Sequence, residues 1–141
     1  MLKVKKLKID AKVPFKAKEG DAGWDVFSCE NKTLVPNAQY NFGLGLAVEF
    51  PDGYVLMTAE KSGMALKNET ITMGNIIDSG YRGEIHVLLK NLSQEDLIIV
   101  KGQKIAQLLL LRCYTKNDIL EVENLSQTER GEGGFGSTGD F

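Results

Sequence analysis

Hydrophobic and polar residues along this chain alternate with a period of two. Leu44, Leu46, Val48 and Phe50 are interleaved with Gly45, Ala47 and Glu49, and Ile85, Val87 and Leu89 with Glu84, His86, Leu88 and Lys90. Successive side chains of a strand point to opposite faces, so each run predicts a strand with one face on a core. At the start, Leu2 and Val4 hold one phase while Leu7 and Ile9 hold the other. The slip at Lys5-Lys6 predicts a β-bulge. Ile105 to Leu111 is apolar on both faces, as expected of a central or interface strand. Pro36-Asn37, Pro51-Asp52-Gly53, Ser79-Gly80 and Lys101-Gly102 punctuate these runs and predict turns. Only Gly63 to Lys67 has room for a helical turn. Many short strands with frequent turns predict an all-β fold: a β-sandwich, jelly roll or barrel.

Composition narrows the function more than the fold. A length of 141 residues suits one domain with a hydrophobic core. A net charge of −2 argues against broad binding to nucleic acid, which needs a basic excess, but leaves room for one small anion held by local cations. Seven lysines fall within the first 18 residues and read as a solvated strand edge that resists pairing with other chains. Cys29 and Cys113 have no metal-ligand spacing and read as reduced thiols of a cytoplasmic protein. The lysine-rich start is too polar for a signal peptide, and no apolar run is long enough to span a membrane. From Arg130 to Phe141, five of twelve residues are glycine. Such a segment buries too little surface to offset its ordering entropy and is expected to be a mobile arm.

Few residues offer chemistry on their own. His86, the one histidine, lies in mid-strand with no neighbouring ligands. Covalent catalysis is therefore unpromising, and acid–base or metal-assisted work by carboxylates is favoured. Gly131-Glu132-Gly133-Gly134-Phe135-Gly136 has dinucleotide-binding spacing, but no helix can follow it before the chain stops. It reads either as an arm whose N–H groups wrap an anion while Phe135 stacks on a flat ring, or as an incidental tail. Lys61-Ser62-Gly63 places a cation, a hydroxyl and a glycine at the start of the possible helical turn, suited to an anion or to an ordinary turn with Ser62 as N-cap. Asp78 precedes a Ser-Gly turn. Gln107, inside the apolar run, needs a partner, a ligand or a water, because a buried amide is costly unpaired.

Taken together and in order, these segments resemble the five motifs of the homotrimeric dUTPase family. The first is Asp21-Ala22-Gly23-Trp24-Asp25-Val26, the second Lys61-Ser62-Gly63-Met64-Ala65, and the third Asn75-Ile76-Ile77-Asp78-Ser79-Gly80-Tyr81-Arg82-Gly83-Glu84. The fourth is Gly102-Gln103-Lys104-Ile105-Ala106-Gln107-Leu108, and the fifth runs from Arg130 through Gly136 to Gly139. The resemblance implies a jelly-roll protomer (residues 1–126) with a C-terminal arm (127–141). It implies a homotrimer with active sites at subunit interfaces. The implied activity is Mg²⁺-assisted hydrolysis of dUTP to dUMP and pyrophosphate. Asp78 would be the base, Gln107 would touch a phosphate oxygen or the attacking water, and Lys61, Ser62 and Gly63 would hold phosphates. Backbone groups around Asn75 and Ile77 would read uracil, and Tyr81 would exclude a 2′-hydroxyl. Arg130 would grip the γ-phosphate, Phe135 and Gly136 would close over the nucleotide, and Asp25 would act through waters of the Mg²⁺ shell.

Three positions depart from the family pattern: Lys61 and Trp24 replace the usual Arg and Tyr, and Asn75 replaces a common Gly. Asn tolerates positive φ, so the hairpin at Asn75 is expected to keep its shape. A dCTP deaminase-like enzyme, or a non-catalytic regulatory protein on the same scaffold, is the alternative.

Overall fold

A computed structural model describes residues 1–134. The elements in chain order are β1 (Lys3–Lys6), β2 (Trp24–Phe27), β3 (Lys32–Leu34), β4 (Gln39–Gly43), β5 (Leu46–Glu49), β6 (Tyr54–Ala59), α1 (Ser62–Asn68), β7 (Thr70–Met73), β8 (Ile76–Ile77), β9 (His86–Asn91), β10 (Leu97–Ile99) and β11 (Lys104–Arg112). The strands form four antiparallel sheets: β1-β5, β3-β10, β2-β11-β6-β8 and β4-β9-β7. Val26, Leu34, Phe42, Leu46, Leu56, Val87, Ile99 and Leu108 come from all four and meet in one buried cluster. The architecture is the expected all-β jelly roll with one short helix. None of the described helices is long and apolar enough to cross a membrane.

The alternating run of β9 behaves as a strand with one buried face, whereas β5 buries Ala47 as well as Leu46 and Val48. Leu46 and Val48 of β5, and Val87 and Leu89 of β9, are buried, whereas Glu49 and His86 are exposed. The doubly apolar run forms β11, the interior strand between β2 and β6. Each expected turn is present: Gly53 and Gly102 take φ of 78° and 83°, Asn37 takes 62°, and Tyr81 N–H donates to the Asp78 carbonyl.

Three local expectations are corrected. The bulge expected at Lys5-Lys6 falls one step later, at Leu7-Lys8, where two residues face Gly45 alone. The register of β1 against β5 runs unbroken to Lys6↔Leu46, and the strand then ends, with Leu7 and Lys8 N–H both donating to the Gly45 carbonyl. A further register shift, which the sequence pattern did not predict, lies on β11 between Lys104 and Ala106. Ser62 is not the N-cap of α1. Lys61 occupies that place in extended conformation and makes no side-chain cap, and Ser62 is the first helical residue. Asn75 does not take positive φ, because Gly74, at 62°, absorbs it.

The lysines of the first segment are largely tied down. Lys3 pairs with Glu49, Lys8 lies 3.5 Å from Glu84, and the Lys12 and Lys16 ammonium groups sit over the Phe27 and Trp24 rings. Both cysteines are free. Beyond Cys113, whose N–H donates to the Gly53 carbonyl, residues 114–132 are exposed and form no strand.

Candidate active site

The bulge on β11 sets the geometry of one half of the site. Ile105 and Ala106 are both fully buried in succession, after which Leu108 returns to the core. Gln107 is thereby turned to the other face, directly opposite Asp25 of β2 and Ala59 of β6. Residues opposite one another in an antiparallel ladder share a face, so carboxylate and amide lie side by side. Room for the amide comes from Gly23, where a Cβ would stand 2.3 Å from Gln107 Oε1. The amide nitrogen donates to the Glu60 carbonyl at 2.8 Å.

Asp25 is buried and carries the charge of this half. Lys61 pairs with its Oδ1, and Lys104 with its Oδ2 at 2.6 Å. Burial raises the Asp25 carboxyl, but hydrogen bonds from Lys104 and Lys61 outweigh it and hold the group below the ordinary aspartate value. Two ammonium groups on one carboxylate leave the cluster net positive, which suits an anionic ligand. Lys61 is followed immediately by Ser62 and Gly63, both exposed at the start of α1, where first-turn N–H groups have no helical partner.

The second half is a pocket of about 200 Å³ whose lining includes Gly74, Ile77, Asp78, Tyr81 and Ile85. β8 brings its rim into place by pairing Ile77 with Leu56. Asn75 joins it to β6: its carbonyl accepts the Thr58 N–H at 3.0 Å, and its side-chain oxygen accepts the Thr58 hydroxyl at 2.8 Å. Tyr81 donates its hydroxyl to the Glu84 carbonyl at 2.9 Å. Its ring occupies space that only glycine leaves at position 83, where a Cβ would stand 2.3 Å from the hydroxyl and 2.5 Å from Cζ. Glu84 is fixed in turn by the Gly45 N–H, which holds its carboxyl below the usual glutamate range against the opposing effect of burial. Asp78 is exposed.

The structure therefore brings together Asp25, Lys61 and Gln107, with Ser62 and Gly63 next in the chain. It separately gathers Ile77, Asp78 and Tyr81, and Asn75 links that hairpin to β6. Arg130 belongs to neither group. It lies in a turn of the C-terminal segment, where its Nε donates to the Gly133 carbonyl at 3.1 Å. Phe135 and Gly136 fall outside the described residues. Sequence reasoning assigned no role to Gly23, Lys104, Glu60 or Gly83. All four lie within three positions of a side chain already singled out, and that nearness is the signal they left.

Among the described residues no three His, Cys, Asp or Glu side chains converge on a metal position. Both Asp25 oxygens are taken by ammonium groups. Such a site suits Mg²⁺ carried on a ligand's phosphates and met through water, since Mg²⁺ keeps much of its hydration.

The dUTPase family model matches residues 10–139. The deoxyuridine 5′-triphosphate nucleotidohydrolase of Clostridium tetani is 42% identical over 140 residues, covering 98% of this chain and 96% of that one. Its counterpart in Alkaliphilus metalliredigens is 43% identical over 141 residues, with 98% and 96% covered. Among solved structures, the Staphylococcus bacteriophage 80alpha dUTPase with dUPNHPP superposes with a TM-score of 0.89 at 30% identity, covering 99% of this chain and 98% of that one. A mutant dUTPase from phage phi11 of S. aureus, described with a structural Mg(II) ion, gives 0.83 at 25% identity, with 90% and 99% covered.

Proposed function

The chain belongs to the dUTPase family, and on that basis we propose that it hydrolyses dUTP to dUMP and pyrophosphate with the residues gathered above. The observation that carries this reading is the row of Asp25 and Gln107 beside Lys61, with Ser62 and Gly63 adjoining. It is a net-positive phosphate seat with an amide at its edge.

dUTP is strongly anionic and repels a nucleophile until its charge is met. Lys61, Arg130 and the N–H groups of Ser62 and Gly63 supply positive potential at the triphosphate, and the Ser62 hydroxyl adds a donor. Mg²⁺ on the phosphates would supply Lewis-acid polarisation, and Asp25 would hold it through its bound waters. Asp78 accepts a proton from the attacking water. The water oxygen bonds to the α-phosphorus as the bridge to the β-phosphorus breaks, and pyrophosphate leaves. Gln107, its nitrogen engaged by Glu60, turns its oxygen toward a donor such as that water. Asn75 and Ile77 present backbone groups to uracil, and Tyr81 leaves no space for a 2′-hydroxyl.

Three further parts of the reading concern assembly and place. Within one chain Arg130 joins neither the cationic cluster nor the Asp78 pocket. This supports a homotrimer whose sites are completed between copies. Residues 1–126 then form the β domain and 127–141 an arm that closes over a site, with Phe135 and Gly136 against the nucleotide. Free Cys29 and Cys113 agree with a cytoplasmic enzyme.

Pyrophosphate release from dUTP, dCTP, dTTP and UTP tests the activity. Selective release from dUTP is expected. Ammonia release from dCTP, or no turnover of any of the four, would overturn it.

A further inference from the structure

Three segments that carry site residues meet at Glu60, which stands between the last residue of β6 and Lys61. Its Oε1 accepts two hydrogen bonds from Thr72 of β7, from the backbone N–H at 3.0 Å and the hydroxyl at 2.8 Å. Its backbone carbonyl accepts the Gln107 amide at 2.8 Å. Thr72 is buried, so its hydroxyl must be paired. The Thr72 carbonyl accepts the Asn75 amide at 3.4 Å, and Asn75 accepts the Thr58 hydroxyl. One side chain thus ties the Lys61–Gly63 turn, the Gln107 amide and the β7-β8 hairpin into a single network.

A glutamate beside a phosphate seat needs a reason, since its charge opposes an anionic ligand. Here the carboxylate is turned away toward β7. Burial raises it, and the Thr72 hydrogen bonds bring it below the ordinary glutamate value, so it stays ionised and accepting at neutral pH. Gln107 alone is a flexible side chain. With its nitrogen held by a fixed carbonyl, and its oxygen confined beside Gly23, it has one orientation.

We propose that Glu60 is a positioning residue: by clamping the turn to Thr72, its carboxylate fixes the backbone carbonyl that orients Gln107 for the attack step. The proposal rests on the reading of this site as one that hydrolyses dUTP. It concerns turnover rather than binding, because Lys61 is held independently by Asp25.

The test measures kcat for dUTP and the Kd of its α,β-imido analogue for the parent, Glu60→Ala, Glu60→Gln, Thr72→Val and the Glu60→Ala/Thr72→Val double variant. Glu60→Ala should lower kcat about 10- to 100-fold, the scale of a small misplacement of a catalytic group, while Kd hardly moves. Glu60→Gln retains an oxygen for the same two donors and should recover most of the turnover. Thr72→Val keeps the backbone N–H but loses the hydroxyl. It should give a smaller fall, and the double variant should be no worse than Glu60→Ala, because both act through one contact. If Glu60→Ala does not fold, the milder Thr72→Val must still lower kcat without weakening analogue binding. Parental kcat in Glu60→Ala or Thr72→Val, additive effects in the double variant, or equal damage in Glu60→Ala and Glu60→Gln would each overturn the clamp. A parent that releases no pyrophosphate from dUTP would instead remove the functional reading beneath it.

Discussion

At the level of single residues, one oxygen atom and one methyl group are enough to separate the proposed roles. Asp78 lies exposed at the lip of the pocket, where a water can reach it. Asp78→Asn keeps its shape and removes its ability to accept a proton. Turnover should fall roughly 10²- to 10⁴-fold, the usual worth of a positioned base, while the imido analogue still binds. Activity within a few-fold of the parent would take the base elsewhere. Gly83→Ala probes Tyr81 without replacing it. The new Cβ would stand 2.5 Å from Cζ, so the ring must swing and its bond to the Glu84 carbonyl must break. The ratio of kcat/KM for UTP over dUTP should rise, because space opens where the 2′-hydroxyl would sit. An unchanged ratio would separate sugar selection from the tyrosine.

Among the elements, β2 and β11 join through both backbone and charge, and acid should loosen them in a defined way. The Asp25 carboxyl is held below its ordinary value in the fold. Its contribution is therefore complete above the unfolded aspartate value of about 3.9 and disappears as pH falls through the lower folded value. At pH 7 Asp25→Asn should cost about 1.5–3 kcal/mol, the range for charge-assisted hydrogen bonds, and lower Tm accordingly. The gap in Tm between parent and variant should begin to close as pH drops below about 3.9, where the unfolded chain takes up the proton, and vanish only once pH has fallen through the lower folded value. A gap that persists in acid would mean Asp25 stabilises by shape alone.

The same two strands show what could be read from the chain in advance. The turns were legible because proline, asparagine and glycine fix local dihedrals whatever surrounds them. The β9 strand was legible because its period of two is unbroken. The β11 bulge was not, since a run apolar on both faces shows no phase to slip. The phase change at Lys5-Lys6 was visible, but its two-against-one contact lies at Leu7-Lys8, a position that depends on where Gly45 accepts its hydrogen bonds. Asp25, Lys61 and Gln107 were each nameable through a family resemblance. Their shared row, the second ammonium of Lys104 and the Glu60–Thr72 contact depend on pairings between distant segments, for which no local pattern exists.

Across the molecule as a whole, the sheets end at Arg112 and the chain continues for another 29 residues. The described part of that stretch is almost wholly exposed and adds little to the core. A chain stopped at Glu129 should therefore melt close to the parent and keep the same oligomeric state in solution, yet lose most turnover with Arg130 and the glycine-rich arm. Full activity in that variant would contradict closure of the arm, and a change of oligomeric state would place the assembly contacts within it.

The pairing of β2 with β11 also governs when the enzyme comes into being. Asp25 is made early in translation, and its partners Lys104 and Gln107 emerge only when most of the chain has left the ribosome. Strands that distant meet slowly, because the intervening loop must be ordered before the contact is rewarded. Until then the cationic cluster lacks Lys104 and Gln107, and a nascent or prematurely terminated chain has no complete seat for a nucleotide. Synthesis that stalls short of the last strand thus leaves a chain with exposed strand edges and no activity, a matter for quality control rather than for metabolism.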